Sequence, residues 1–227
     1  PQIIPRTLLL MGGAIAALDH VMENGGIAGN MAGGTHHAHH DFGSGYCIFN
    51  DLAVCSLLAL SKYNLTKIAV VDFDVHQGDG TATILQNVDK VLTISVHCRE
   101  NFPFRKSESD YDLELPANTG DEEMLTMVAK ALELTKQFDP QLILFQAGVD
   151  GLATDALGKL NISRQGMSKR NEMVFDLAVE QLIPTVVFMG GGYSDPIRHT
   201  IDAFSDLFHS AYRANNHFLN MVNLGDV

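Results

Sequence analysis

The ten residues Val71, Asp72, Phe73, Asp74, Val75, His76, Gln77, Gly78, Asp79 and Gly80 constrain this chain more than any other stretch, because they set three carboxylates and an imidazole at the end of an apolar run. The preceding block, Lys67 to Val71, has the continuous apolar and β-branched character of a strand buried on both faces of a parallel sheet. Side chains two apart on an extended segment point the same way, so Asp72, Asp74 and His76 are expected on one side. Crowded together, such groups repel one another and lose hydration, and a divalent cation between them relieves both. The simpler alternative is a set of acids capping a helix that begins near Gly80. The stretch reads as a metal site at a strand tip.

The arrangement recurs downstream. Leu142 to Gln146 is a second buried run, ending in Ala147, Gly148, Val149 and Asp150; Pro184 to Met189 is a third, followed by Gly190, Gly191, Gly192 and Tyr193. Two further strands are expected over Gly26 to Met31 and Val91 to Val96. Helical spacing covers Thr7 to Met22, a segment capped by Asn50 or Asp51 and running to about Leu60, Gly80 to Gln86, Asp121 to Phe138, Ser163 to Gln181, and Pro196 to Arg213. Cys98 to Thr119 shows no clear period and reads as a long loop at a pocket rim. Strands alternating with helices imply right-handed crossovers and a parallel sheet covered on both faces. The expected fold is therefore α/β: a single three-layer αβα domain over residues 1–227 with a mainly parallel central sheet. In such sheets ligands bind at the carboxyl ends of the strands, which gathers Asp74, His76, Asp150 and Tyr193 at one edge.

Asp74, His76 and Asp150 make a three-ligand set that leaves a position open for water or substrate, the form of a catalytic rather than a structural site. Zinc or ferrous iron there would acidify bound water and polarise a carbonyl, and nitrogen and oxygen donors do not select strongly between the two. Gly33 and Gly34 imply a tight turn just before His36, His37, His39 and His40. His36 and His37 can move protons if each is oriented by a carboxylate, and Asp72 and Asp79 are the acids in reach. His39 and His40 read as solvated loop residues. Tyr193, after three glycines at a strand tip, offers a phenol to a developing oxyanion.

Composition narrows the partners. A formal charge of −12 and a pI near 5.1 argue against direct nucleic-acid binding and favour cationic ligands. With 46% hydrophobic residues in 227, a well-buried core is affordable. Cys47, Cys55 and Cys98 have no paired spacing and read as reduced, mostly buried thiols. No apolar run approaches the length expected of a bilayer span, and Leu8 to Met11 lacks the flanks of a signal peptide, so a cytoplasmic location without membrane attachment is expected. Oligomeric state is not readable.

Together these blocks resemble the histone deacetylase superfamily, on the arginase-like α/β fold, which includes bacterial deacetylases and acetylpolyamine amidohydrolases. The resemblance runs from Gly12 and Gly13 through Gly33 to Asn50, Val71 to Gly80, Gln146 to Gly158 and Gly190 to Tyr193. It implies removal of an acetyl group from a lysine side chain or from an acetylated polyamine, with Zn2+ (or Fe2+) on Asp74, His76 and Asp150. His36 and His37 would be the paired active-site histidines, supported by Asp72 and Asp79 respectively, and Tyr193 would polarise the acyl carbonyl. Tyr46 and Phe102 would line the acyl-lysine tunnel, with the Gly45 carbonyl receiving the substrate amide. A structural K+ would sit on Asp72, Asp74, His76, Ser95 and Val96, partly through backbone oxygens. The resemblance also implies that an N-terminal portion of the family fold is absent from this chain, and Tyr46 stands where phenylalanine is usual.

Overall fold

The computed structural model describes residues 2–225. Six parallel strands form one sheet in the order β1-β6-β5-β2-β3-β4: β1 Ile27–Asn30, β2 Ile68–Asp72, β3 Val91–Cys98, β4 Tyr111–Leu115, β5 Leu142–Gln146 and β6 Thr185–Phe188. Six helices accompany them: α1 Ile3–Asn24, α2 Asp51–Lys62, α3 Asp79–Leu85, α4 Asp121–Phe138, α5 Arg164–Glu180 and α6 Arg198–Gly225.

Alternation along the strands divides the interior into two cores. Ile68 and Val70 of β2, Leu142 and Leu144 of β5, and Val186 and Phe188 of β6 face α1 and α2, where they meet Leu18, Val21, Leu52 and Ala59. Ala69, Val71, Ile143, Phe145 and Val187 face the other way, onto Val128 and Leu132 of α4, Val174 and Phe175 of α5, and Phe204 and Leu207 of α6. This is the expected three-layer αβα fold, the central strands β2, β5 and β6 supplying side chains to both layers because successive Cβ atoms point to opposite faces.

Four boundaries differ from the sequence reading. The segment Cys98 to Thr119 is not wholly loop, because Tyr111–Leu115 pairs with the end of β3 as an edge strand, Ile94 opposite Tyr111 and Cys98 opposite Leu115. Leu113 and Leu115 are buried on either side of exposed Glu114, a short period-two pattern made faint by its acids, by exposed Tyr111 at the strand start and by its length of five residues. β3 runs on to Cys98, past the expected end at Val96. α1 starts at Ile3, four positions before Thr7, since Pro5 falls in the first turn where its missing N–H costs nothing. α6 runs from Arg198 to Gly225 instead of ending near Arg213.

One further amendment concerns α1, which is long and apolar enough by length and composition to pass as a membrane span. Its Ala14, Leu18 and Val21 are fully buried against the sheet and α2, while Ile3, Ile4, Leu8 and Leu9 on its first turns are exposed. At the head of α2 the cap is Asn50, whose side chain accepts the Ala53 N–H at 2.9 Å. Cys47, Cys55 and Cys98 are all free and buried, as expected.

Adjacent strands β2 and β5 lead away in opposite directions, β2 to β3 on one side and β5 to β6 on the other. Asp72 lies in register with Gln146 across that pair. A crevice opens outside the carboxyl ends of two such diverging strands, and in this sheet the residues that follow them are Phe73 to Gly78 and Ala147 to Asp150.

Candidate metal centre and active site

Past the end of β2 the backbone leaves the sheet, and its turns are stitched by the acids themselves. Asp72 accepts the Asp74 N–H at 3.1 Å, Asp74 accepts the His76 N–H at 3.0 Å, and Asp150 accepts the Val75 N–H at 3.0 Å. The Gly191 N–H closes on the other oxygen of Asp74 at 3.0 Å. Three strand-end loops thus share two carboxylates.

The result is a buried cluster in which one donor atom each from Asp74, His76 and Asp150 lies within 4.8 Å of the others. His76 Nδ1 sits 3.1 Å from both Asp74 and Asp150. The donor set fits a small divalent cation, because with protein charges alone the site is poorly balanced. Burial, and then the charge of Asp74, push the Asp150 carboxyl up to about 7, while Asp150 and Asp74 together hold the His76 ring up to about 10 against the opposing effect of burial. A cation replaces those protons and satisfies all three groups at once. Asp72 departs from the expectation that it would face the same way as Asp74 and His76. The strand ends at Asp72, so its period of two is lost there and its side chain turns to His36.

His36 and His37 arrive on the loop after β1, and their rings lie 4.0 Å apart. Each is held by its own carboxylate: His36 Nδ1 to Asp72 at 2.7 Å, His37 Nδ1 to Asp79 at 2.6 Å. These are the two pairings that the family resemblance implies. The rings nonetheless stand in opposite electrostatic positions. Burial lowers both, but Asp72 and Asp74 outweigh it at His36 and hold that ring up to about 9. At His37 burial and the neighbouring His36 win, leaving it at about 4.

The loop carrying the pair is pinned by Asp51, which the sequence suggested only as a cap. Its buried carboxylate accepts the N–H groups of Gly34 and Thr35, both at 2.8 Å. Asn50 adds bonds of 3.1 Å to the carbonyls of both His36 and Ala38. Gly45 adopts φ +49°, and a Cβ there would fall on the His37 ring, so only glycine fits.

A cavity of about 750 Å³ opens over the cluster, lined by Asp74, His76 and Asp150, by His36 and His37, and by Gly45, Tyr46, Phe102 and Tyr193. Phe102 stands edge-on to His37 at 5.0 Å, a wall of the cavity. Tyr46 projects from φ +64° and is 88% exposed. Tyr193 is half exposed, its N–H held by Asp155 at 2.6 Å, and burial together with the charges of Asp74 and Asp150 pushes its phenol well above the ordinary range. The structure thus brings every expected metal, histidine and tunnel residue to one cavity. Ser95 lies beside Asp72 in the β2–β3 register, with Val96 next to it.

Two residues near the site were missed by sequence reasoning. Arg170 of α5 is completely buried and donates to the carbonyls of Phe73 at 3.0 Å, Gly148 at 2.6 Å and Ala147 at 3.0 Å, clamping both strand-end loops from behind. Its signal was a charged residue in register with the core positions Met167 and Val174. His39 has the sequence context of a solvated loop residue. Its Nε2 lies instead 3.2 Å from Asp79 and its ring is stacked on Phe42, whereas His40 is exposed as expected.

Fold and site together define a parallel α/β protein with a metal-compatible carboxylate–histidine centre at its strand ends. Residues 1–206 match the family described as the histone deacetylase domain. An uncharacterized protein of Picosynechococcus sp. is 41% identical over 212 residues, covering 93% of this chain and 70% of that protein. Histone deacetylase 2 of Arabidopsis thaliana is 35% identical, covering 81% of this chain, and histone deacetylase 1 of Homo sapiens is 32% identical, covering 82%. Among solved structures, an acetylpolyamine aminohydrolase from Burkholderia pseudomallei superposes with a TM-score of 0.77 at 22% identity, over 89% of this chain and 61% of that one. The HDA15 HD domain superposes with a TM-score of 0.78 at 23% identity, over 96% and 67%. The chain belongs to the histone deacetylase family. It spans 48% of the Arabidopsis enzyme and 40% of the human one.

Proposed function

We propose that this chain carries the catalytic centre of a zinc-dependent deacetylase that hydrolyses the acetyl amide of a lysine side chain. The observation that carries the reading is the pair His36–Asp72 and His37–Asp79, two buried imidazole–carboxylate couples side by side in the cavity that holds Asp74, His76 and Asp150. A cation on those three residues would supply Lewis acidity toward the amide carbonyl and toward water. His37, its Nδ1 held by Asp79, presents its other nitrogen as general base to the water and later as acid to the departing amine. His36 acts mainly through its charge, its Nδ1 held by Asp72. Tyr193 donates its hydroxyl to the oxygen that becomes negative. Tyr46 and Phe102 flank the acyl-lysine stem, and the Gly45 carbonyl accepts the substrate N–H. The juxtaposition of Asp72 and Ser95 in register supports a K+ beneath the site, on Asp72, Asp74, His76, Ser95 and Val96.

An acetylated polyamine is the second reading, favoured by the net charge of −12, which attracts a polycation over any approach path. Purified protein incubated with an acetyl-lysine peptide and with an acetylated polyamine, with and without a chelator, separates the two. Chelator-sensitive release of acetate from the peptide is expected; release from the polyamine alone selects the second reading. Asp150→Ala should be inactive and should lose its metal by elemental analysis, since a three-ligand site has no spare donor. Full metal content in that variant would overturn the ligand assignment.

A further inference from the structure

Asp79 is shared. One of its oxygens holds His37 Nδ1 at 2.6 Å, and the other lies 3.2 Å from Nε2 of His39, a residue for which the proposed reaction has no task. The second ring nitrogen of His39 meets the Thr83 hydroxyl at 2.8 Å. Asp79 and Thr83 both belong to α3 and are four residues apart, so they share one face of that helix one turn from each other. An imidazole carries its two nitrogens on opposite edges of a rigid ring. His39 uses both, bridging the two α3 residues, and the ring is clamped from one side by Phe42, stacked at 4.2 Å with planes 16° apart. The His39 N–H bonds to the Phe42 carbonyl at 2.9 Å, fixing the backbone as well.

A carboxylate held at one oxygen can swing about its Cβ–Cγ bond, and one held at both cannot. Asp79 is nearly buried, so few waters compete for its second oxygen, and His39 is the side chain that occupies it. The plane of Asp79 decides where the His37 ring points, and the His37 ring decides where its free nitrogen lies in the cavity. Thr83 ties the assembly back to its own helix, since its hydroxyl also lies 3.0 Å from the Gly80 carbonyl.

We propose that His39 is a positioning residue: it fixes the plane of Asp79 and thereby the orientation of His37, so that the site contains a His37–Asp79–His39–Thr83 chain rather than a simple couple. The proposal rests on the reading of His37 as the proton-transferring histidine, and one arm of its test does not. His39→Leu removes both ring nitrogens and keeps apolar bulk against Phe42. His39→Gln keeps a donor N–H within reach of Asp79. With the zinc-loaded protein and an acetyl-lysine peptide, H39L should lower kcat on the order of tenfold, in the range that loss of a supporting hydrogen bond costs. KM and zinc content should stay at wild-type values, and H39Q should recover most of the rate.

The independent arm needs no turnover. With the proton on His37 Nδ1, its 2.6 Å bond to Asp79 should give a downfield proton resonance that reports the geometry of that bond. The resonance should move in H39L and return toward its wild-type position in H39Q. A resonance unmoved in H39L overturns the proposal, as does an H39Q variant whose kcat is as low as that of H39L while its melting temperature is restored. If the wild-type protein turns over neither substrate, the deacetylase reading fails and the resonance still decides the role of His39.

Discussion

Gly191 donates its backbone N–H to Asp74 at 3.0 Å, joining residues 117 positions apart in the chain, and does so in a space that admits no side chain. A Cβ on Gly191 would fall onto the Asp150 carboxylate and crowd that of Asp74. The glycine after β6 is therefore part of the candidate metal centre although it offers no ligand atom. Gly148 is its counterpart after β5, where a Cβ would land on Asp74.

Gly191→Ala is accordingly expected to push Asp150 out of line and weaken metal binding about tenfold to a hundredfold, the usual cost of disturbing what orients a ligand. The fold should survive, because Gly191 is only half-buried and lies outside every strand and helix. Competition against a chelator of known affinity measures the change, and an unchanged dissociation constant contradicts the geometry.

His37 is expected to matter more to turnover than His36. Loss of a positioned general base costs on the order of a hundredfold or more, whereas a neighbour acting through its charge costs less. Both Ala variants should retain metal. If His37→Ala keeps near-normal kcat where His36→Ala does not, the two roles are exchanged.

Tyr193→Phe removes one hydroxyl and leaves the ring in the cavity wall. A donor whose bond strengthens as charge reaches the carbonyl oxygen affects the transition state more than the bound substrate. The expected result is a fall in kcat of about a hundredfold to a thousandfold with little change in KM or metal content. Wild-type turnover at full metal occupancy reduces Tyr193 to a wall residue.

His97 supplies a prediction about acid stability. It lies in β3, fully buried, with Nδ1 paired to the Ser95 hydroxyl at 2.8 Å; Nε2 has no hydrogen-bond partner among the described residues and lies 4.0 Å from the Glu114 carboxylate. Burial pushes its ring down to about 4. The unfolded chain binds the proton near pH 6.5 and the folded one does not, so stability is complete above that pH and declines as pH falls from 6.5 toward 4. Between pH 7 and pH 5 this one residue should account for about 2 kcal/mol. Urea unfolding at those two pH values should show a smaller decline in His97→Gln than in the wild type. Equal declines would mean that His97 takes up a proton without unfolding.

Order and type of elements were legible from sequence where the pattern was long or the boundary residue had one conformational use. Leu142 to Gln146 read as a buried strand because five consecutive apolar or amide positions have no exposed face, and the structure buries all five. Asp121 to Phe138 read as a helix because its first-turn acids and its period agree, and it occupies those residues. Tyr111–Leu115 was illegible because five residues alternating with acids look like a loop until β3 lies alongside to accept their hydrogen bonds.

Local chemistry likewise determined the candidate centre. Asp74, His76 and Asp150 end apolar runs, and a parallel sheet delivers the ends of its strands to one edge, so their meeting followed from the pattern of runs alone. The pairings of His36 with Asp72 and His37 with Asp79 came with the family resemblance, and the tertiary structure supplies their distances. What only the tertiary structure decided is how many partners each buried polar group has. Arg170 reaches three carbonyls on two loops, and His39 divides Asp79 with His37, because both depend on a layer of helix coming to rest against the back or flank of the sheet ends. A sequence records which side chains can donate or accept. Satisfaction of a buried hydrogen bond is a matter of a few tenths of an ångström between residues far apart in the chain, and packing alone sets that distance.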